Sequence, residues 1–342
     1  MAAQDRSQYE IFEIRSNDGS KTVNVSNGVI TFSYFENVLS PMVTAQAVIV
    51  NTGNAVVDEE EDITSIYNGL PLNGGEKVSI KIPATAEGPG IEFTEQNGNE
   101  LYIASITNVL ISAEKETFTI NLVSREAITN ETSRIGKKFP SSEPISDSVK
   151  EIIKNYLLSD KNVDADETQN PYGFIGNLKK PFTTLTWLAT KSVPGNVSGG
   201  DATAGYFFYE TYLGYHFRSI DSLISQEPFP IEYTYSPGII DNQDPNKDYK
   251  ILEFNTVRNQ KMVENLEKGA YCTYRMYYNP IDSTFTTPQQ GEFKVSQYAK
   301  KMENLGRDFE IFLPPVDKKN KSLGDVPSRY MTGVLDFGTL ER

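Results

Sequence analysis

His216 is the one histidine in this chain of 342 residues, so imidazole chemistry could be built only around it. A Ser-His-Asp triad needs a histidine between a hydroxyl and a carboxylate, and multi-histidine metal sites need several imidazoles. His216 lies between Tyr215 and Phe217 in a run typical of a strand, which favours a packed structural histidine. The sequence also lacks a G-x-S-x-G elbow, a P-loop and a G-x-G-x-x-G fingerprint, so nucleophilic and nucleotide chemistry lack their usual supports.

A dense run of carboxylates at residues 58–62 could bind a hard cation such as Ca²⁺. It lacks the glycine and the spaced oxygen ligands of an EF-hand loop, so a solvated loop is favoured. A glycosidase needs only two carboxylates, and composition alone does not exclude such a pair among 46 acidic residues. We therefore predict no catalytic, cofactor-binding or metal-binding residues, no cofactor and no enzyme activity.

Aromatic side chains are concentrated in two runs, at residues 206–217 and 271–278. Such runs serve as strand cores, as subunit interfaces or as platforms that stack on sugars. Core packing is the favoured interpretation, and the other two stay open.

The overall composition is acidic, with a net charge of −14. Clustered Lys and Arg would be needed to hold phosphates, and only pairs such as Lys137-Lys138 and Lys300-Lys301 occur, so we expect no specific nucleic-acid binding. The single Cys272 fits assembly in a reducing cytoplasm. Residues 37–57 are uncharged but interrupted by polar residues, which predicts a buried strand and no membrane insertion, and the polar N-terminus predicts no secretory signal.

Residues 1–124 alternate apolar and polar side chains and predict a small tube-like β-barrel or sandwich. The intervening segments at 67–76 and 85–99 are rich in Gly, Asn and Pro and predict long loops. Six strands are expected, near residues 9–14, 29–35, 42–50, 78–82, 101–111 and 118–122.

Residues 125–226 predict an α+β middle domain. Helical spacing of apolar residues predicts helices at 145–158 and 183–193. The polar segment 159–169 and the glycine-rich segment 195–205 are expected to be exposed and mobile.

Residues 227–306 predict a second β-rich domain that contains an insert. Strands are expected at 250–257 and 270–279, and helices at 261–268 and 297–305, with Gly269 ending the first helix in the left-handed conformation. Residues 307–342 carry Pro314-Pro315 and a basic run, which predicts an extended C-terminal arm.

The segment 205–231 predicts a structural joint. Two aromatic runs, 206–210 and 215–218, flank a turn at Leu213 and Gly214, which predicts a hairpin. A helical turn after Ser219 must end before Pro228 and Pro230. This order resembles the domain junction of the central baseplate hub proteins of contractile-tailed, T-even-type bacteriophages. The similarity extends over about residues 101–279 and is sharpest at 106–139, 145–158 and 206–230.

The resemblance implies a structural virion protein of the phage tail baseplate, assembled in the host cytoplasm. It implies a homotrimeric ring in which each chain carries two tube-like β domains and links the central spike to the tail tube, beside other baseplate proteins. DNA would pass through this ring without specific binding. A glycan- or cell-wall-active module of a phage tail is the alternative function.

The C-terminal part departs from the hub pattern, because no clear set of strands returns after residue 305 to complete the second tube-like domain. That domain is then reduced, completed by another chain, or cut short in a shortened product.

Overall fold

The computed structural model divides into two compact units, Met1–Ile220 and Asp221–Arg342, and each is described by itself. In the first unit the structure describes residues 8–51, 56–57, 63–64, 66–70, 72–84, 90–112, 115–195 and 205–220. In the second it describes residues 221–228, 230, 233–235, 250–251, 253–255, 257, 259, 261–280, 282–287, 291–295, 316, 320 and 322–334. The carboxylate run at 58–62, most of the glycine-rich segment 195–205 and the predicted helix at 297–305 lie outside these residues.

The first unit is built on a curled half-barrel sheet of eight strands, so the described fold is mainly β. Its strand order is β2-β1-β7-β9-β10-β4-β3, with β8 added beside β7. These strands are β1 (Ile11–Arg15), β2 (Thr22–Asn24), β3 (Val29–Phe35), β4 (Thr44–Asn51), β7 (Lys77–Ile82), β8 (Ile91–Phe93), β9 (Leu101–Ile111) and β10 (Glu116–Ser124). Between β4 and β7 lie a small hairpin, β5 (Val56–Val57) and β6 (Ile63–Thr64), and the short helix α1 (Ile66–Gly69).

Alternation of side chains along the strands forms the core of this sheet. In β10, Phe118, Ile120 and Leu122 are buried at every second position. Phe118 and Ile120 lie opposite Ile49 and Ala47 of β4, which are also fully buried. Burying each such aliphatic or aromatic side chain stabilises the fold by about 1.5–3 kcal/mol. The alternation of apolar and polar residues predicted from the sequence therefore places the buried side chains on the inner face of the half-barrel.

The rest of the first unit is an α+β layer with its own apolar core. Helix α3 buries Ile145, Val149, Ile152 and Ile153 on one face, as the sequence predicts, and Pro181 begins α4 at a position that needs no N–H donor. The elements are α2 (Arg125–Thr132), β11 (Lys138–Phe139), α3 (Ile145–Asn155), β12 (Val163–Ala165), β13 (Phe174–Ile175), α4 (Pro181–Lys191), β14 (Tyr206–Thr211) and β15 (Gly214–Ser219). Helix α5 (Ile220–Ser225) starts at the last residue of this unit and otherwise belongs to the second unit.

The second unit contains a four-stranded sheet around β18, flanked by β19, β20 and the parallel strand β21. Gly269 ends α6 with φ of 72°, the left-handed conformation predicted for it. Its elements are β16 (Thr234–Tyr235), β17 (Lys250–Ile251), α6 (Met262–Lys268), β18 (Cys272–Asn279), β19 (Thr284–Phe285), β20 (Glu292–Lys294) and β21 (Arg329–Val334).

Several predictions from the sequence need correction. The segment 159–169 is not an exposed, mobile linker: β12 lies within it and pairs in parallel with β15, while Ser159 and Thr168 are buried. The loop predicted at 85–99 contains β8, and the strand predicted at 250–257 is described as a strand only over Lys250–Ile251. Strand β21 lies in the region where the sequence predicts an extended arm and no returning strands.

In the described part of the chain, no helix is both long enough and apolar enough to cross a membrane.

Candidate functional site

The half-barrel and the α+β layer are connected by a buried polar network centred on Lys161. Its ammonium lies 2.7 Å from Glu126 Oε2 and 2.6 Å from Glu210 Oε1. Glu126 belongs to α2, Glu210 to β14, and Lys161 to the segment before β12. Both carboxylates are 1% exposed and the lysine side chain is 17% exposed, so these charges are largely removed from water.

Further donors satisfy the remaining carboxylate oxygens. Glu210 Oε2 accepts the Val43 N–H at 3.0 Å and the Ser124 hydroxyl at 2.7 Å. Glu126 Oε1 accepts the Ser159 hydroxyl at 2.7 Å. Buried charges are tolerated when they are paired and hydrogen-bonded in this way.

The pKa values of the network follow from burial and pairing. Burial raises the pKa of Glu210, and Lys161 opposes this rise. Burial acts on Glu126 in the same direction, but Lys161 and Ser159 outweigh it and hold the pKa of Glu126 below its ordinary value. Burial would lower the pKa of Lys161, but the two carboxylates raise it instead. The lysine is therefore charged at neutral pH. A carboxylate that acts as a general base needs an oxygen free to accept a proton, whereas the oxygens of Glu126 and Glu210 already accept hydrogen bonds from protein donors.

Tyr212, in the turn between β14 and β15, forms a second connection to the half-barrel. Its hydroxyl lies 3.2 Å from both the N and the O of Glu92, accepting from the first and donating to the second. Its own N–H donates to Glu36 Oε1 at 2.6 Å, and its ring packs edge-on against Phe93 at 5.3 Å. We call the Lys161 network and Tyr212 together the joint.

His216 lies between a hydroxyl and a carboxylate, the order of groups found in a triad. Its Nε2 is 2.8 Å from Thr211 Oγ1, and its Nδ1 is 3.4 Å from Asp164 Oδ2. The same Asp164 oxygen accepts from Arg218 at 2.7 Å, so the guanidinium holds this carboxylate more closely than the imidazole does. Thr211 Oγ1 also accepts the Leu213 N–H at 3.2 Å. These contacts fasten β12, β14 and β15 to one another.

The aromatic run at 206–217 is mainly core. Tyr206, Phe208, Tyr209, Tyr215 and Phe217 are all buried, which confirms the interpretation as core packing. His216 stacks on Tyr209 at 4.9 Å and is packed, as the sequence predicts. In the run at 271–278, Tyr274, Tyr277 and Tyr278 are half-buried, so an interface or core role stays open there.

A small cavity beside the joint is lined by charges of both signs. Its volume is about 160 Å³, and it lies beside Lys161 and Arg125 and also contacts Lys77, Glu95 and Glu100. Within the described residues, no group of three or more His, Cys, Asp or Glu side chains is arranged to hold a metal ion.

Comparison with known proteins gave similarities to solved tail proteins. No family model matches the sequence, and no curated protein matches it. The chain is similar to the 43 kDa tail protein of prophage MuSo2 from Shewanella oneidensis, with 11% identity, coverage of 63% of this chain and 56% of that chain, and a TM-score of 0.40. It is also similar to a tail protein from Neisseria meningitidis MC58, with 10% identity, 95% and 71% coverage and a TM-score of 0.45. For prophage tail protein gp18 from Listeria monocytogenes EGD-e, identity is 7%, coverage is 95% and 73%, and the TM-score is 0.46.

Sequence reasoning missed the joint because its members are far apart in the chain. Glu126 and Lys161 are separated by 35 positions, and Tyr212 and Glu92 by 120. Gly214 is the one local signal, because it marks where the β14–β15 hairpin approaches the segment that carries Lys161. A Cβ at this position would lie 2.3 Å from the Asn162 carbonyl oxygen, so the close approach needs glycine.

Proposed function

We propose that this chain is a structural component of a phage tail baseplate. The observation that carries the proposal is the joint, because it places charged and aromatic side chains where they fasten two layers together. The order half-barrel, α+β layer, hairpin β14–β15 and helix α5 is also the order on which the sequence resemblance to the hub family rests. A rigid connection of this kind suits a protein that transmits load between other subunits.

We further propose that the chain acts as the hub itself, a homotrimeric ring between the central spike and the tail tube. In this proposal residues 1–124 form the first tube-like domain, 125–226 the middle domain and 227–306 the second β-rich domain, to whose sheet residues 307–342 contribute strand β21. Spike, tube and other baseplate proteins are the partners, with assembly in the host cytoplasm. A net charge of −14 would let DNA pass through the ring without binding.

The proposed role is not enzymatic. The buried carboxylates of the joint are already held by Lys161 and by hydroxyl donors, and Asp164 is held by Arg218. Purified protein should release no soluble product from peptidoglycan or glycans. Hydrolysis that disappears in His216→Gln or Asp164→Asn would contradict this part of the proposal and favour the cell-wall-active alternative.

Electron microscopy of the protein mixed with its spike and tube partners tests the hub assignment. We expect particles with a central opening and threefold symmetry. If both partners bind but the particles have no rotational symmetry, the chain is a tail protein but not the hub.

A further inference from the structure

A tight turn at residues 176–179, just after β13, has an unusual residue at its centre. The Lys179 N–H donates to the Gly176 carbonyl at 3.0 Å, and the two central residues, Asn177 and Leu178, have φ of 49° and 55°. Turns with two left-handed central residues favour Asn followed by Gly, because glycine has no Cβ that opposes this conformation. Asn177 fits that preference, whereas Leu178 does not.

Packing within the fold does not explain this leucine. Leu178 is 68% exposed, so its own burial offsets little of the backbone strain. Ile175, three positions earlier, is 59% exposed. Backbone strain that the fold does not need is concentrated at sites that contact other molecules. We call Ile175 and Leu178 the apolar tip.

Two exposed lysines lie beside the apolar tip. Lys138 of β11 pairs through the backbone with Ile175, and Lys179 directly follows Leu178. Neither lysine forms an ion pair with any other residue that the structure describes. The Lys179 ammonium lies 5.4 Å from the ring centroid of Trp187, a distance at which cation–π attraction helps to hold it in place.

The surroundings of the tip are positively charged as a whole. Five cations lie on the two segments that meet there: Arg134, Lys137, Lys138, Lys179 and Lys180. Glu151 and Glu131 form ion pairs with Lys137 and Lys180, and Glu143 acts on Lys137 at longer range. Five positive and three negative charges leave a local net charge of +2, in a chain whose total is −14.

The small size of the apolar tip indicates which kind of partner fits it. A stable protein–protein interface buries about 800 Å² on each partner around an apolar centre, far more than two aliphatic side chains supply. An anionic lipid surface needs no matching socket. Each lysine near it contributes separately, and aliphatic side chains enter the boundary between headgroups and acyl chains.

We propose that the apolar tip and the lysines beside it bind an anionic lipid surface. Leu178 and Ile175 enter the acyl boundary, while Lys138 and Lys179 bind headgroup phosphates. The contact is peripheral and needs no membrane-spanning segment. The acidity of the rest of the chain does not cancel the attraction, because charges farther away than about 10 Å are largely screened at about 0.1 M salt.

Flotation with lipid vesicles measures the contact. The parent should float with vesicles of equal parts phosphatidylcholine and phosphatidylglycerol, and should stay in solution with phosphatidylcholine alone. Leu178→Asp should weaken binding to the anionic vesicles about tenfold or more, because an inserted leucine is lost. The matched control Leu213→Asp introduces the same side chain at another turn leucine, which is 73% exposed, and should bind like the parent.

The electrostatic part of the contact is tested separately. Lys138→Gln and Lys179→Gln should each weaken binding to the anionic vesicles about fivefold. Raising salt from about 0.1 M to about 1 M shortens the screening length from roughly 10 Å to roughly 3 Å and should release the parent from the vesicles.

Leu178→Gly distinguishes binding from stability. Glycine relieves the strained backbone, so this variant should melt at the same temperature as the parent or higher, yet bind anionic vesicles about tenfold more weakly. A leucine with a purely structural role would give the opposite result, a lower melting temperature with unchanged vesicle binding.

Trp187 is the only tryptophan in the chain, and it lies next to Lys179. Energy transfer from Trp187 to a dansyl-labelled lipid therefore reports whether this face approaches the vesicle. Transfer should appear when the parent meets anionic vesicles, and should be absent in Leu178→Asp at the same protein and lipid concentrations.

Three results would overturn the inference: a parent that does not bind anionic vesicles at about 0.1 M salt, binding that Leu178→Asp leaves unchanged, or equal losses in Leu178→Asp and Leu213→Asp. Retention of the parent on polyglutamate without vesicle binding, lost in both lysine variants, would also overturn it and assign the lysines to an acidic protein surface. The structural tail role does not depend on these outcomes, because it is tested by assembly with spike and tube proteins.

Discussion

The Glu210 carboxylate accepts the backbone N–H of Val43 at 3.0 Å, although the two residues are 167 positions apart. One belongs to the β14–β15 hairpin and the other immediately precedes β4, so this bond connects the α+β layer to the half-barrel. The same carboxylate binds Lys161 through its second oxygen. A single side chain thus links three segments of the first unit.

Removing the cation at the joint should be costly. In Lys161→Met, Glu126 and Glu210 would remain buried without their shared ammonium, and we expect a loss of about 3–5 kcal/mol at pH 7. Urea unfolding measures this loss of unfolding free energy. The control is Lys154→Met, which makes the same substitution at an exposed position of α3.

The loss should also depend on pH. Without Lys161 the folded-state pKa values of both carboxylates rise above their unfolded values. The loss of unfolding free energy is therefore smallest at a pH below the unfolded pKa, where both carboxyls are protonated, and largest at a pH above the folded pKa. The difference from the parent should therefore shrink as pH falls from neutral towards 4. A difference that does not change with pH would mean that lost packing, and not charge, causes the effect.

The two turn residues Tyr212 and Leu213 should respond very differently to truncation. Tyr212→Ala removes the contacts with Glu92 and Phe93 and should destabilise the protein by about 1–3 kcal/mol. Leu213 is 73% exposed, so Leu213→Ala should change stability by less than about 0.5 kcal/mol. Equal losses in thermal or urea unfolding would show that the hairpin turn is not docked on the half-barrel.

Periodicity made most of the half-barrel and helix α3 predictable. Strands β3 and β9 have the predicted bounds, and Ile145, Val149 and Ile152 form the buried stripe expected from their spacing. Helix α3 satisfies a local rule, because the apolar face that its spacing predicts is buried. The strand bounds follow from composition and alternation, although β9 buries only Leu101 and Ile103 and β3 is at most half-buried.

The segment 159–169 shows where such rules fail. Its composition is polar, yet Ser159 and Lys161 are held by Glu126 and Glu210, and β12 pairs with β15 more than 50 positions away. Burial of polar residues depends on partners that are distant in sequence, and a single sequence does not identify them. The three-residue strand β8 was missed because it is too short to show alternation.

The buried stripe of α3 can be tested with a charge. Ile152 is fully buried, so Ile152→Asp would place an unpaired carboxylate in the core and should cost several kcal/mol. Lys150→Asp introduces the same side chain at an exposed position of the same helix and should be nearly neutral. Melting of Ile152→Asp within a degree of the parent would mean that this face of α3 is not packed.

Asp18 should titrate at an unusually low pH. Hydrogen bonds from the Ser16 hydroxyl, at 2.6 Å, and from the Ser20 N–H and hydroxyl lower its pKa from 3.8 to about 2. Since the folded pKa is the lower one, the contribution of this carboxylate is present above pH 3.8 and is lost as pH falls towards 2.

NMR of the carboxyl carbon measures this pKa directly. Ser16→Ala should move the pKa of Asp18 towards 3.8, whereas Ser112→Ala, which removes a hydroxyl bonded to Lys115, should leave it unchanged. A parent value at the ordinary 3.8 would show that the turn around Asp18 is open in solution.

The proposed threefold ring in a phage tail baseplate fixes the number of copies in the particle. Light scattering of the purified protein, alone and with its spike and tube partners, measures that number. We expect about three copies of the 38.3 kDa chain in the particle. A chain that remains a monomer when both partners are present would contradict the hub assignment.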